Sequence, residues 1–156
     1  MLAVFEKEFK GYFRSAIGPV FIGLFLLVSA GIFFFSFLLQ FAFAYTMYLQ
    51  YTNLVFMITV PILTMKVFSE ERKTKTDQLL LTCPVKASDI VLGKYLAAVA
   101  ILLITLLLHS VNAIIISFYA LNMYFFDILI AYLGLFLVGS AYVAIGTFIS
   151  STTDSQ

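Results

Sequence analysis

The sequence is poor in the residues that metal, redox and hydrolytic chemistry require. Its 156 residues include one cysteine, Cys83, one histidine, His109, and no tryptophan. A single cysteine excludes an internal disulfide, and one cysteine with one histidine is too small a set for a structural zinc site. The serines and His109 form no recognisable nucleophile motif. We therefore expect no catalytic residue, metal site or cofactor in this chain.

A phosphate-binding loop is also missing. The Gly93–Lys94 pair has Ser88 where that motif needs its first glycine and Tyr95 where it needs Ser or Thr. The chain is therefore not expected to hydrolyse ATP by itself.

Charge is scarce as well. Charged residues make up 11% of the chain and hydrophobic residues 63%, whereas a soluble domain has roughly 25% charged residues. A formal net charge of +1 gives no support for a nucleic-acid partner. This composition predicts an integral membrane protein, with the lipid bilayer as its first partner.

The charge-free stretches predict where the chain crosses the bilayer. Residues 15–65 carry no charged side chain, and a spanning helix needs only about twenty residues. We predict one all-α transmembrane domain over residues 1–156, with transmembrane helices at 16–39, 51–68, 95–119 and 128–149, arranged as two hairpins. The ring-rich segment between the first two spans, which includes Tyr48, is predicted to lie at the membrane interface.

All nine Lys and Arg residues precede the first span or surround the loop between the second and third spans. By the positive-inside rule, both termini are predicted to be cytoplasmic in a multi-pass plasma-membrane protein. Residues 1–14 place Leu2, Phe5, Phe9 and Phe13 on one helical face, which predicts a helix lying in the interface. A frayed cytoplasmic tail is the alternative.

Two patterns within the later spans bear on helix packing. Thr105, His109 and Asn112 follow the i, i+4, i+7 spacing of one helical face that lipid should not contact. They either bond to neighbouring helices or line a substrate path. In the last span, Gly146-x-x-x-Ser150 and Ser140-x-x-x-Ala144 permit close helix approach.

The loop at residues 69–89 combines a charged cluster, three leucines and a proline turn. An amphipathic element this short is unstable alone in water, so we expect residues 73–81 to dock on lipid or on a partner protein. The alternative is a solvated loop.

This loop resembles the segment that joins the second and third membrane helices in the ABC-2 family of ATP-binding-cassette transporter permeases. The matching residues are Glu70, Glu71, Arg72, Thr76, Leu79, Leu80, Pro84, Val85, Leu92, Gly93 and Lys94. Lys75 replaces the usual glycine of that motif, and Asp77 or Gln78 stands in its glutamate region. Residues 5–19 also resemble the start of the gliding-motility-associated permease branch. Because such permeases generally have six membrane helices, the resemblance implies a chain truncated after the fourth.

The resemblance implies a permease subunit that moves a substrate across or out of the membrane by alternating access. Its implied partners are a second permease subunit, identical or different, and a cytoplasmic ABC ATPase subunit that holds the ATP and Mg²⁺. The implied ATPase-coupling residues are Glu70, Glu71, Arg72, Lys73, Thr76, Asp77, Leu79, Leu80 and Pro84. Two alternatives stay open: a non-transporting membrane scaffold or assembly subunit, and a membrane-embedded lipid-modifying enzyme.

Overall fold

The computed structural model describes residues 2–39, 45–74, 87–119 and 125–152. Within these ranges the backbone is helical everywhere except at Ser15 and Ala16. The helices are α1 (Leu2–Arg14), α2 (Ile17–Leu39), α3 (Tyr45–Thr74), α4 (Ala87–Tyr119) and α5 (Phe125–Thr152). The prediction of an all-α fold is confirmed.

Four of these helices are long and apolar enough to cross a membrane. The qualifying segments are Ile17–Phe35, Tyr48–Met65, Ser88–Ile115 and Phe126–Thr152, one in each of α2 to α5. Only helices and closed barrels satisfy their own backbone hydrogen bonds in hydrocarbon. These apolar segments are therefore expected to form continuous helices. The expectation of one N-terminal helix followed by four helices able to span a membrane is confirmed.

Three of the four membrane-spanning helices, α3, α4 and α5, are longer than the spans predicted for them. Helix α3 extends to Tyr45 and Thr74 beyond the predicted span 51–68, and α4 starts at Ala87 instead of residue 95. A helix that leaves the hydrocarbon keeps its internal hydrogen bonds, so hydropathy does not mark its end. Both ends of the predicted loop 69–89 are therefore helical.

Two helices, α3 and α4, take part in almost all of the contacts within the bundle. Helix α3 packs most extensively against α5 and also against α2, while α4 contacts α1, α5 and α2. Stacked rings of Phe25 and Phe56, 4.5 Å apart between centroids, join α2 to α3 in the core. Large apolar side chains such as Leu27, 74% exposed, cover the outside. This exterior suits contact with lipid chains.

Close approach of α3 to α5 depends on a glycine. A Cβ atom added to Gly146 would lie 2.9 Å from both Cβ and Cγ2 of Thr64, which is too close for any side chain. Ser150, one turn later, is buried, so Gly146-x-x-x-Ser150 is the packing motif of α5. Ala144, from the other predicted pair, is exposed.

Helix α1 lies against the end of the bundle where the apolar segment of α3 finishes and that of α4 begins. The Tyr12 hydroxyl donates to the Leu63 carbonyl of α3 across 3.4 Å. On α4, a Cβ at Gly93 would lie 2.9 Å from Cγ1 of Val4. Residues 1–14 were expected to lie in the membrane interface, and that position stays a prediction.

Candidate functional site

Four polar side chains meet in the interior of the bundle near the end opposite α1. Tyr48 of α3, His109 and Asn112 of α4 and Tyr132 of α5 form this group, which we call the intramembrane cluster. The Tyr48 hydroxyl lies 2.7 Å from His109 Nε2, and the Tyr132 hydroxyl lies 2.8 Å from His109 Nδ1. Asn112 Nδ2 donates to the Tyr48 hydroxyl across 2.9 Å. The cluster therefore links three membrane-spanning helices.

The cluster sits in an apolar and aromatic environment. Tyr48 and His109 are both fully buried, and their rings stack with centroids 5.6 Å apart and an interplanar angle of 7°. Phe25 of α2 lies 5.5 Å from the His109 ring. Polar groups placed in such surroundings are expensive to leave unpaired, so their hydrogen bonds hold the helices in register.

One direction of proton donation satisfies all of these contacts. Asn112 donates to Tyr48, Tyr48 to His109 Nε2, His109 Nδ1 to Tyr132, and Tyr132 to the His109 carbonyl, the last across 3.2 Å. This assignment requires a neutral imidazole with its proton on Nδ1. The arrangement is an uncharged hydrogen-bonded chain without a nucleophile paired to a base.

The structure brings together two of the three polar residues predicted to share a face of α4. His109 and Asn112 both join the intramembrane cluster. Thr105 is fully buried on the same side, but its Oγ1 donates to the Ile101 carbonyl of its own helix across 2.8 Å. Thr105 therefore lies one turn away from the cluster and does not contribute to it.

Sequence reasoning missed both tyrosines. Tyr48 was expected at the interface, yet it begins the apolar segment of α3 and is buried. The position of the two tyrosines in the sequence could have indicated their contact with His109. In two successive hairpins the starts of α3 and α5 lie at the level of the end of α4, so a tyrosine in the first turns of either helix can reach His109.

A second polar contact joins α1 to α4. Lys94 is 1% exposed, and its Nζ lies 3.6 Å from Oε1 of Glu8, whose side chain is 19% exposed. A buried ammonium needs a counter-charge, because desolvating it alone is costly. Gly93, the neighbour of Lys94, packs against Val4 of α1. Gly93 and Lys94 of the Leu92-Gly93-Lys94 motif therefore have a physical role in this fold, which is to seat α1 on α4.

Tyr12 completes this junction. Burial and the nearby Glu8 carboxylate raise the pKa of the Tyr12 hydroxyl. The hydroxyl therefore stays protonated and available to donate to the Leu63 carbonyl at neutral pH.

The predicted ATPase-coupling residues fall at the edge of the described structure. Glu70, Glu71, Arg72 and Lys73 lie in the final turns of α3, where the helical backbone is described. The remaining ones lie outside the described residues: Thr76, Asp77, Leu79, Leu80 and Pro84. Their role stays a prediction.

Taken together, the fold and the two polar junctions between its helices define a polytopic helical membrane protein. A family model described as "ABC-2 family transporter protein" matches residues 17–150. The chain therefore belongs to the ABC-2 transporter family, and the resemblance found in its loop is confirmed at that level. Neither the comparison with curated proteins nor that with solved structures finds a match.

Proposed function

We propose that this chain is the membrane permease subunit of an ABC-2 type transporter, which moves a substrate across or out of the plasma membrane by alternating access. The observation that carries this proposal is the family match over residues 17–150, which covers three membrane-spanning segments in full and the fourth up to two residues from its end. In this proposal both termini are cytoplasmic, a second permease subunit completes the membrane part, and a separate ABC ATPase binds ATP and Mg²⁺. Membership of the gliding-motility-associated branch stays a prediction.

The coupling role of residues 69–89 gains support from the length of α3. Its apolar segment ends at Met65, whereas the helix continues to Thr74. Nine further residues extend a helix by about 13 Å. A rigid extension of this kind transmits movement of an attached loop into the membrane. We propose that the charged residues Glu70 to Lys73 hold the start of that loop against the ATPase.

The intramembrane cluster supports a packing role for His109 and Asn112 within this proposal. Each bonds to a tyrosine of a neighbouring helix, at 2.7 to 2.9 Å. Hydrogen bonds between membrane helices contribute about 0.6 kcal/mol on average. Several such bonds fix α3, α4 and α5 relative to one another, so that movement of the loop between α3 and α4 is passed to α5.

The test of the coupling proposal changes Leu79 and Leu80 to serine together and measures binding of the co-expressed ATPase. Burying one leucine side chain contributes about 1.5–3 kcal/mol, so the double change should weaken binding by about tenfold or more. The matched control is Asn112→Ala in the membrane interior, which should leave ATPase binding intact. Unchanged ATPase binding by the Leu79/Leu80 variant would remove these residues from the interface.

Cross-linking tests whether this loop or residues 1–14, the other basic segment of the chain, contacts the ATPase. In a Cys83→Ser background, single cysteines at Thr76 or Gln78 should form cross-links to the ATPase, whereas cysteines at Lys7 or Lys10 of α1 should not. If cross-links form only from α1, the coupling role belongs to residues 1–14.

A further inference from the structure

A cleft of about 190 Å³ runs between α3 and α5 and is lined by residues of both helices. Four of its lining residues are large and apolar, and each is between 48% and 63% exposed. These are Met57 and Met65 of α3 and Ile145 and Ile149 of α5. All four belong to membrane-spanning segments, so the cleft opens sideways to the hydrocarbon of the bilayer.

The cleft has the size and direction that suit a short hydrocarbon chain. Its α5 wall extends from Tyr142 to Ser150, a rise of about 12 Å. A cavity of about 150 Å³ holds benzene, and the same ratio gives this cleft room for roughly seven carbon atoms. The apolar segments of the two helices finish near the Ser150 end, at Met65 and Thr152. This end is therefore expected to lie nearest to the lipid headgroups, with the other end toward the bilayer interior.

Ser150 supplies an unused polar group at the headgroup end of the cleft. The residue is 5% exposed, and its Oγ has no hydrogen-bond partner among the described residues. The hydroxyls of Ser140, Thr147 and Thr152 in the same helix each donate to the carbonyl three residues earlier. A buried hydroxyl without a partner is costly, so its presence points to a partner from another molecule. Because Ser150 lines the cleft, a change of its χ1 rotamer presents the hydroxyl to a molecule bound there.

We propose that this cleft binds an uncharged amphiphile that carries a hydroxyl group, such as a diacylglycerol or a medium-chain alcohol, with the hydroxyl against Ser150 and hydrocarbon along the cleft. Serine donates and accepts hydrogen bonds, as the hydroxyl of an alcohol does. None of the described residues that line the cleft is charged, so they offer no counter-charge to an ionised headgroup. Met57 and Met65 have flexible side chains that adapt to chains of different shape. This inference does not depend on the proposed transport function.

The test uses a photoreactive alcohol of about the length that the cleft accommodates. The full-length chain is reconstituted into phosphatidylcholine vesicles and irradiated with an octanol that carries a diazirine, and labelled residues are identified by mass spectrometry. We expect saturable labelling of cleft residues such as Met57 and Ile145. At equal concentration in the membrane, unlabelled octanol should compete about twofold to tenfold better than octane, because only octanol forms the hydrogen bond. Equal competition by octane, or labelling that does not saturate, would overturn the proposal.

Ser150→Ala tests the polar contact. This variant should lose the preference for octanol over octane, whereas the control Ser140→Ala, which removes a hydroxyl bonded to its own helix, should keep it. Without octanol, Ser150→Ala should unfold at the wild-type temperature or above, because the Oγ it removes has no partner among the described residues. Octanol should raise the unfolding temperature of the wild type more than that of Ser150→Ala. A preference that survives Ser150→Ala would overturn the proposal, as would a lower unfolding temperature of that variant without octanol.

Competition with lipids separates the two sources of the hydroxyl. Dioctanoylglycerol is an uncharged lipid with a free hydroxyl, and dioctanoyl phosphatidate carries the same chains with a phosphate in its place. If a lipid occupies the cleft, dioctanoylglycerol should compete at least as well as octanol, whereas competition by octanol alone would assign the cleft to free alcohols. Phosphatidate should compete poorly, because its charge would enter an apolar cleft. Equal competition by phosphatidate and dioctanoylglycerol would overturn the assignment to an uncharged headgroup.

Discussion

At the scale of single residues, Tyr48 connects two membrane helices through one hydroxyl. That oxygen is 2.7 Å from His109 Nε2 and 2.9 Å from Asn112 Nδ2. The helical spacing of His109 and Asn112 predicted that both would turn away from lipid. Their partners could not be predicted, because the approach of side chains that are 61 and 64 residues apart is set by how the helices pack and leaves no periodic trace in the sequence.

Tyr48→Phe should destabilise the bundle because it removes this hydroxyl and keeps the ring. Two buried polar groups then lose a partner, which should lower the free energy of unfolding by about 1–2 kcal/mol. Thermal unfolding of the purified protein in detergent measures the change. Tyr51→Phe, on the exposed side of the same helix at 49% exposure, is the control and should have no effect. Equal stability of the two variants would show that the cluster does not hold the helices together.

Gly146→Ala should also destabilise the protein, through a steric effect. The added methyl group meets Thr64 of α3, and overpacking of this kind costs about 1–3 kcal/mol. Gly134→Ala is the matched control in the same helix, because a Cβ there meets nothing within 4 Å. A lower unfolding temperature is therefore expected for Gly146→Ala alone. A similar temperature for both variants would contradict the close packing of α3 on α5.

At the scale of helices, the sequence predicted the number and order of the apolar elements better than their ends. Charge-free runs mark hydrocarbon depth, so all four membrane-spanning helices were found. Both ends of α3 and the start of α4 were not, because a helix that continues past the hydrocarbon carries no hydropathy signal there. The burial of Lys94 could not be predicted from the sequence either, since a lysine at the start of a span is usually expected to reach the interface.

Glu8→Gln should loosen α1 from α4, because Lys94 then loses the carboxylate that lies 3.6 Å away. Breaking a buried pair is destabilising, here by no more than about 3 kcal/mol because Glu8 is partly exposed. Disulfide formation between cysteines at Phe5 and Leu96, which line one crevice, in a Cys83→Ser background measures docking. The yield should fall for Glu8→Gln and persist for Glu6→Gln. If both variants retain the full yield, the Lys94 contact does not seat α1.

At the scale of the whole molecule, the fold has a polar junction near each end. The contact of α1 with α4 lies at the end that carries the basic residues, and the intramembrane cluster lies toward the other. In the proposed orientation, the basic end is cytoplasmic. Family membership supports a transporter. The intramembrane cluster does not identify the substrate, because its polar groups bond to one another.

Cys83, the single native thiol, tests that orientation. A membrane-impermeant maleimide should label it in inverted vesicles and leave it unlabelled in intact cells. Denaturation in detergent before labelling verifies that the thiol is reactive. Labelling of Cys83 from outside intact cells would reverse the proposed topology.

The central claim, that this chain is a permease powered by another subunit, is tested most directly by ATP binding and hydrolysis with and without a co-expressed ABC ATPase. The purified chain alone should bind no ATP, because it lacks a phosphate loop. Purified with the ATPase, it should form a stoichiometric complex that hydrolyses ATP. Stoichiometric ATP binding by the chain alone, or failure of any ABC ATPase encoded beside it to form a complex, would contradict the claim.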